Sequence, residues 1–540
     1  MNKSYKKNYN ELIKNSFFYL KNNNLNKAKK LLEKAISLDS KEILAYINLS
    51  NIYILENKIN KCTNLLYNYL ESNKLNTQII NHLGKIYLKF NLINELLNLK
   101  KLFLKKKHLK KDLFYINYLF GIGFEEKENI LEAVREYKKS IQLNNKFIES
   151  YLRLCNLFEK TNKISLLKET INLANDNHFL DPRLSYFEAL YSYRKKEYKN
   201  SQSIIINRGL VKDLKNQSLY FIDILNLQFK NFEKLKDYKK AFKTIKERNF
   251  FISNQEENKK YNKRKIIDTI NIYKKFYTNK KLKNNYKNFN NHVNIVFIVG
   301  FPRSGTTLLD TILRSHSKTL VLEEKPYILN LRHDYFKKNN NKLESIDKIT
   351  NKEIIEIQRE YLKQINYDKD NKKIIIDKFP LTIMEIGFIK KIFPESKIIL
   401  AMRHPCDSVL SCFFSYFKMN DAMINFLDLK DTINFYNYIF EFFHIFNQSL
   451  VMNHLVVKYE DLVLNFDTTI KKILNFLNIS YEDRLSRFYE TAQKRNKINT
   501  PSYNQVIQPL YTSSIGRWKK YNDVKFIEKD LKKWIEKYNY

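Results

Sequence analysis

The sequence predicts a multidomain α + α/β chain: an N-terminal helical superhelix of repeats, then a three-layer α/β domain with a mainly parallel sheet. Three observations carry this. Aromatic residues recur at about 34-residue spacing through the first half. After His292, strand-like apolar runs alternate with helical patterns. The first of those strands, Ile295 to Val299, passes through Gly300 and Pro302-Arg303-Ser304-Gly305 into a helix beginning at Thr306.

The repeats are read from Tyr19, Tyr53 and Tyr87, each preceded three positions earlier by a small residue, Ser16, Ser50 and Gly84. Ala28 and Ala35 follow in the first unit, where paired helices must approach closely. After a slip the pattern resumes with Gly121, Phe124 and Ala133, then with Cys155, Phe158 and Ala174. Ala189, Tyr193 and Ser201 mark a degraded unit, and Phe232 with Ala241 a last one. The period is that of a tetratricopeptide unit, a helix pair that cannot bury its apolar face alone and stacks on its neighbours. Aromatic residues at such spacings are expected to be interhelical core.

Residues 1–253 are thus assigned to repeats, 254–291 to a charged linker with a helix over Ile266 to Phe276, and 292–540 to the α/β domain. With 540 residues, 44% of them hydrophobic, the chain can bury more than one core. The net charge of +39 would ordinarily suggest nucleic acid. Lysine is spread over the whole length beside Asn and Ile, so the charge reads as compositional drift, and no nucleic-acid partner is expected. Four cysteines without a C-x-x-C pair, no export signal and no apolar run long enough for a membrane span lead to the expectation of a cytoplasmic protein with free thiols.

The loop at Gly300–Thr307 is built for an anion. Unpaired N–H groups at a helix N-terminus and the helix dipole favour negative charge. Thr306 and Thr307 add hydroxyls, and Arg303 adds a planar cation for phosphate or sulfate oxygens. The spacing is P-loop-like, G-x-x-x-x-G-x-T, but Thr306 stands where an NTP-binding loop has its lysine, which argues against an ATPase or kinase.

Four more segments join the loop. Glu323-Glu324 follows the first helix and offers either a general base or a solvated acid. The run Ile374–Ile376 ends in Asp377-Lys378, readable as a cation aimed into the crevice or as an ion pair at a strand end. The run Ile398–Met402 ends in Arg403, with Ser411 about two turns into the next helix. Both could hold a second phosphate or simply be solvated. His404, before Pro405, reads as a turn residue. Val456–Lys458 runs into Tyr459-Glu460-Asp461, whose acids complement a helix dipole.

Together these segments resemble the sulfotransferase family. Pro302-Arg303-Ser304-Gly305-Thr306-Thr307-Leu308-Leu309 is similar to the loop that binds the 5′-phosphosulfate of 3′-phosphoadenosine 5′-phosphosulfate (PAPS). The segment from Arg403 to Ser411 resembles the one that binds the 3′-phosphate, with those two residues as its donors. The resemblance runs from His292 to Tyr540, including Tyr459-Glu460-Asp461-Leu462-Val463 and the stretch from Gln505 to Trp518. It points to bacterial sulfotransferases with N-terminal tetratricopeptide repeats, which share motifs with protein-tyrosine sulfotransferases.

The resemblance implies roles for residues. Arg303, Ser304, Gly305, Thr306 and Thr307 would hold the phosphosulfate, Glu324 would be the catalytic base, and Lys378 would support transfer near the bridging oxygen. Tyr459 would lie near the nucleotide and Arg517 near its phosphates. Glu323 stands where the subgroup often has glycine. At Ser502-Tyr503 only the serine keeps the tyrosine-sulfotransferase pattern, which weakens the expectation of a tyrosine acceptor. The implied activity is PAPS-dependent, metal-free O-sulfotransfer to a hydroxyl on a protein, glycan or other acceptor. The repeats would bind the acceptor or a protein partner. The rival readings are a scaffold with an inactive domain and a P-loop kinase.

Overall fold

Small residues set the geometry of the first half. Ser16, Ser50, Cys155 and Ala189 are fully buried, and a Cβ on Gly84 would meet the Leu119 side chain at 2.7 Å. These positions let helix pairs such as Ile43–Leu55 with Ile59–Ser72, and Ile148–Lys160 with Ile164–Asp176, pack closely. Between paired helices the chain turns through left-handed residues, Asn23, Asn57, Asn91, Glu128, Asn162 and Lys196. Asparagine tolerates that conformation better than most residues. At each turn a backbone N–H returns to a carbonyl five residues back: Tyr19, Tyr53, Tyr87, Phe124, Phe158 and Ser192, at 2.7–2.9 Å. The recurring aromatic therefore marks the closing turn of each first helix. In the degraded unit Ser192, not Tyr193, holds that place, three residues after Ala189.

The structure, a computed structural model, describes residues 3–73, 76–105, 113–278, 293–322, 324–368, 373–449, 452–493 and 508–540. It divides into two compact units, Met1–Leu214 and Lys215–Tyr540. The helices Ser218–Lys234 and Tyr238–Ser253, which the sequence groups with the repeats, keep the same left-handed turn at Lys236 but pack within the second unit. The reason is visible in their side chains: Phe229, Ala241 and Ile245 belong to the core beside the sheet. The linker helix runs over Lys263–Thr278 and buries Ile270, Tyr273 and Tyr277 in that same core. The rest of the assigned linker, 279–291, lies outside the described residues.

In the second unit, five strands form a sheet in the order β2-β3-β1-β4-β5, all parallel among the described residues. They are β1 Ile295–Gly300, β2 Thr319–Val321, β3 Ile374–Lys378, β4 Lys397–Met402 and β5 His454–Lys458. Central β1 is buried on both faces, which explains its uninterrupted apolar run. Phe297 and Val299 face one core with the helices Pro405–Phe414 and Leu429–Ser449; Val296 and Ile298 face the other with Thr306–Arg314 and Phe466–Leu477. Those are the three layers. A Cβ on Gly300 would collide with the Ala401 carbonyl of β4, so only glycine lets β1 end this close to its neighbour.

The chain leaves β1 toward β2 and β3 on one side and later crosses to β4 and β5 on the other. In such a sheet a crevice opens beyond the carboxyl ends at the point of reversal. The loop after β1 occupies that point.

Candidate active site

Each strand delivers one predicted residue to this end of the sheet. Beyond β1 come Arg303 and the start of the helix Thr306–Arg314; beyond β2, Glu324; at the tip of β3, Lys378; beyond β4, Arg403; beyond β5, Tyr459. A small open cleft of about 100 Å³ lies among them. Arg303, Gly305, Thr306, Thr307, Glu324, Arg403 and Tyr459 line it. Ser304, Lys378, Ser411 and Arg517 are not in the lining.

The loop is held in an uncommon conformation. Arg303 has φ 68° and Gly305 φ 87°, both left-handed, and Gly305 caps the helix. A Cβ at Gly305 would meet the Tyr459 ring at 2.8 Å, so the glycine leaves space between loop and ring. The Arg303 Nε donates to Ser411 Oγ at 3.1 Å, so Ser411 orients the arginine. Burial pushes the Arg303 pKa down to about 10, and it remains a cation at neutral pH.

Arg403 is buried against the face of Tyr459, with its guanidinium 5.1 Å from the ring centre. It donates to the carbonyl oxygens of Ser514 and, at 3.5 Å, Arg303. Its Nε is buried without a hydrogen-bond partner among the described residues. Burial raises the Tyr459 phenol to about 12. Asp407, four residues on from Arg403, accepts from the N–H groups of Gly516 and Trp518 at 2.7 and 2.9 Å, and so secures the C-terminal segment that carries Ser514.

Lys378 is 1% exposed and donates to Glu324 Oε1. Its neighbour Asp377 points to the opposite face of the strand, where it accepts from Tyr361 at 2.9 Å; burial raises its pKa to about 7. The Asp-Lys pair readable in the sequence does not form. Arg517 is engaged by Glu233, with Nε donating at 2.8 Å and Nη2 at 2.5 Å, and lies 5.0 Å from the Phe414 ring centre. His404 caps the helix Pro405–Phe414 through Nδ1, which accepts from the Cys406 N–H at 3.3 Å, and it stacks on Trp518. Burial holds its pKa down, as a neutral acceptor requires. That is a turn residue's part. Glu460 accepts from the His404 N–H at 2.9 Å. All four cysteines are free and buried. Glu323, Ser502 and Tyr503 lie outside the described residues.

Sequence reasoning missed Asp310, Asp407, Ser514 and Glu233. For Asp310 a signal existed: Thr306, Asp310 and Arg314 fall on one helical face at four-residue steps. Among the described residues no group of acidic, His and Cys side chains is arranged to hold a metal, and no helix is long and apolar enough to cross a membrane.

A family model described as Sulfotransferase family matches residues 295–483, which include β1 to β5. Protein-tyrosine sulfotransferase 1 of Danio rerio is 26% identical over 239 residues, 43% of this chain and 67% of the relative. The chain spans 34% to 67% of the length of five curated relatives. Among solved structures, the sulfotransferase domain of the Synechococcus PCC 7002 olefin synthase aligns with TM-score 0.35 and 18% identity, covering 48% of this chain and 98% of that one. A tetratricopeptide repeat protein from Parabacteroides merdae aligns with TM-score 0.34 and 17% identity, covering 47% and 96%. Residues 295–483 thus form a sulfotransferase-family domain, set after a run of tetratricopeptide-like helical hairpins.

Proposed function

We propose that the C-terminal unit transfers a sulfuryl group from PAPS to an acceptor hydroxyl, and that the repeats bind the acceptor or a protein partner. The observation that carries the reading is the convergence of Arg303, Arg403 and Glu324 on one cleft at the sheet's carboxyl edge. Two cations and a helix N-terminus suit a ligand with phosphates at both ends, and the carboxylate on the same cleft suits proton removal. The fit has local support. The unpartnered Arg403 Nε awaits an acceptor, and the space kept by Gly305 lets an anion approach the backbone N–H groups.

PAPS supplies the sulfuryl group and a phosphate leaving group. The protein's part is to hold and to move one proton. Arg303, oriented by Ser411, and the N–H groups and hydroxyls of Thr306 and Thr307 would bind the phosphosulfate end. Arg403 would bind the 3′-phosphate, its own orientation set by Tyr459 and the Ser514 carbonyl. Glu324 would take the acceptor's hydroxyl proton. Lys378 would stabilise charge on the departing phosphate, as preorganised donors do when charge develops in a site shielded from water. Losing one such donor costs about 3–4 kcal/mol in comparable sites. A threonine in place of the Walker lysine suits this division of labour, in which Arg303 and Lys378 are the cations.

The test is product formation. With PAPS labelled in the sulfuryl group, the protein should release 3′-phosphoadenosine 5′-phosphate (PAP) and place label on at least one of a tyrosine peptide, a polysaccharide or water. PAPS left intact by a protein that binds PAP would contradict transfer and favour a scaffold.

A further inference from the structure

Asp310 has no part in the chemistry above, yet it sits at its centre. It lies one turn beyond Thr306 on the loop helix and is 4% exposed. Its Oδ2 meets Lys378 Nζ at 3.3 Å, and its Oδ1 accepts from Arg314 Nε at 3.1 Å. Arg314 in turn donates to the carbonyls of Val321, at 2.6 Å, and Leu322, at 3.3 Å, on the stretch that leads to Glu324. Lys378 also donates to Glu324. Glu324, Lys378, Asp310 and Arg314 are therefore a line of alternating charges with no net charge.

We propose that Asp310 is a positioning residue for the proton-transfer pair: it pins the Lys378 ammonium and stays its counter-ion while Glu324 takes up a proton. This rests on the sulfotransferase reading. Glu324, whose side chain is 28% exposed, is the partner that must change charge. Were it the sole counter-ion, its protonation would strand a buried ammonium, and an uncompensated buried charge is strongly destabilising. Asp310 removes that obstacle. It also offsets the charge of Lys378, the cation that Glu324 faces. The charged groups around the pair are Lys378 from β3, with Asp310 and Arg314 from the loop helix; Arg303 and Arg403 line the same cleft. A phosphate-binding helix thereby also sets the base.

The experiment uses full-length protein and Asp310→Asn, with thermal unfolding as a control of the fold. PAPS turnover with water as acceptor is followed as PAP release across pH, beside PAP affinity by calorimetry at each pH. In the variant, turnover at neutral pH should fall about ten-fold, and the acid limb of the rate profile should move down by about one pH unit. The change of PAP affinity that belongs to Glu324, identified as the step missing in Glu324→Gln, should move down with it even where turnover is too slow to read. A limb that stays in place, whether the rate falls or not, would overturn the inference and leave Asp310 a structural residue. If the wild-type protein neither binds PAP nor consumes PAPS, the sulfotransferase reading itself fails, and the inference with it.

Discussion

Glu324→Gln is expected to lower PAPS turnover by about 10²- to 10⁴-fold, the range of a general base, while PAP affinity is not weakened. The amide cannot take a proton from the acceptor, but it retains the size and an oxygen that can accept from Lys378. Initial-rate measurements beside calorimetry separate the two quantities. A variant that turns over normally would remove Glu324 from the chemistry. A variant that loses PAP affinity in step with rate would make it a binding residue instead.

Arg248→Met should have the largest effect on stability. Arg248 is 0% exposed, and its guanidinium donates to the carbonyls of Phe414, Phe413 and Ser415 at 3.0, 3.2 and 3.4 Å. These close the helix Pro405–Phe414, whose Ser411 orients Arg303. Burial lowers the Arg248 pKa to about 9. Methionine keeps the bulk and removes every donor. Leaving buried acceptors unpaired should cost about 3 kcal/mol, partly offset because a buried charge is removed too. Denaturant unfolding should show the loss, and weaker PAP binding should accompany it through Ser411. Unchanged stability and unchanged affinity would mean that Asn249, which donates to the Phe413 carbonyl at 3.1 Å, closes the helix unaided.

The runs at Ile295, Ile374 and Ile398 were legible because strands buried on both faces leave a strong local signal, whereas His454–Lys458, at the sheet's edge, is largely half-buried. The short edge strand Thr319–Val321 was not legible: three residues carry no period. The repeat period was legible because each turn reuses the same closing hydrogen bond. The place of Ser218–Ser253 was not, since its local pattern still resembles a repeat and only long-range packing, such as Phe229 on Phe414 at 4.9 Å, assigns it to the second unit. The same limit applies to the site. Loop and strand-tip residues stood out because their types suit an anion. Partners such as Asp310 for Lys378 and Glu233 for Arg517 are joined only by the fold. Arg517, proposed from resemblance as a phosphate ligand, is found with its Nε and Nη2 on Glu233.

The measurement that bears most directly on this account is calorimetric titration of the full-length protein with PAP and, separately, with ATP and magnesium. The account predicts saturable binding of PAP that Arg403→Ala abolishes or greatly weakens, and no binding of ATP. Binding of ATP with magnesium and none of PAP would contradict it and restore the kinase; binding of neither would leave a non-catalytic scaffold.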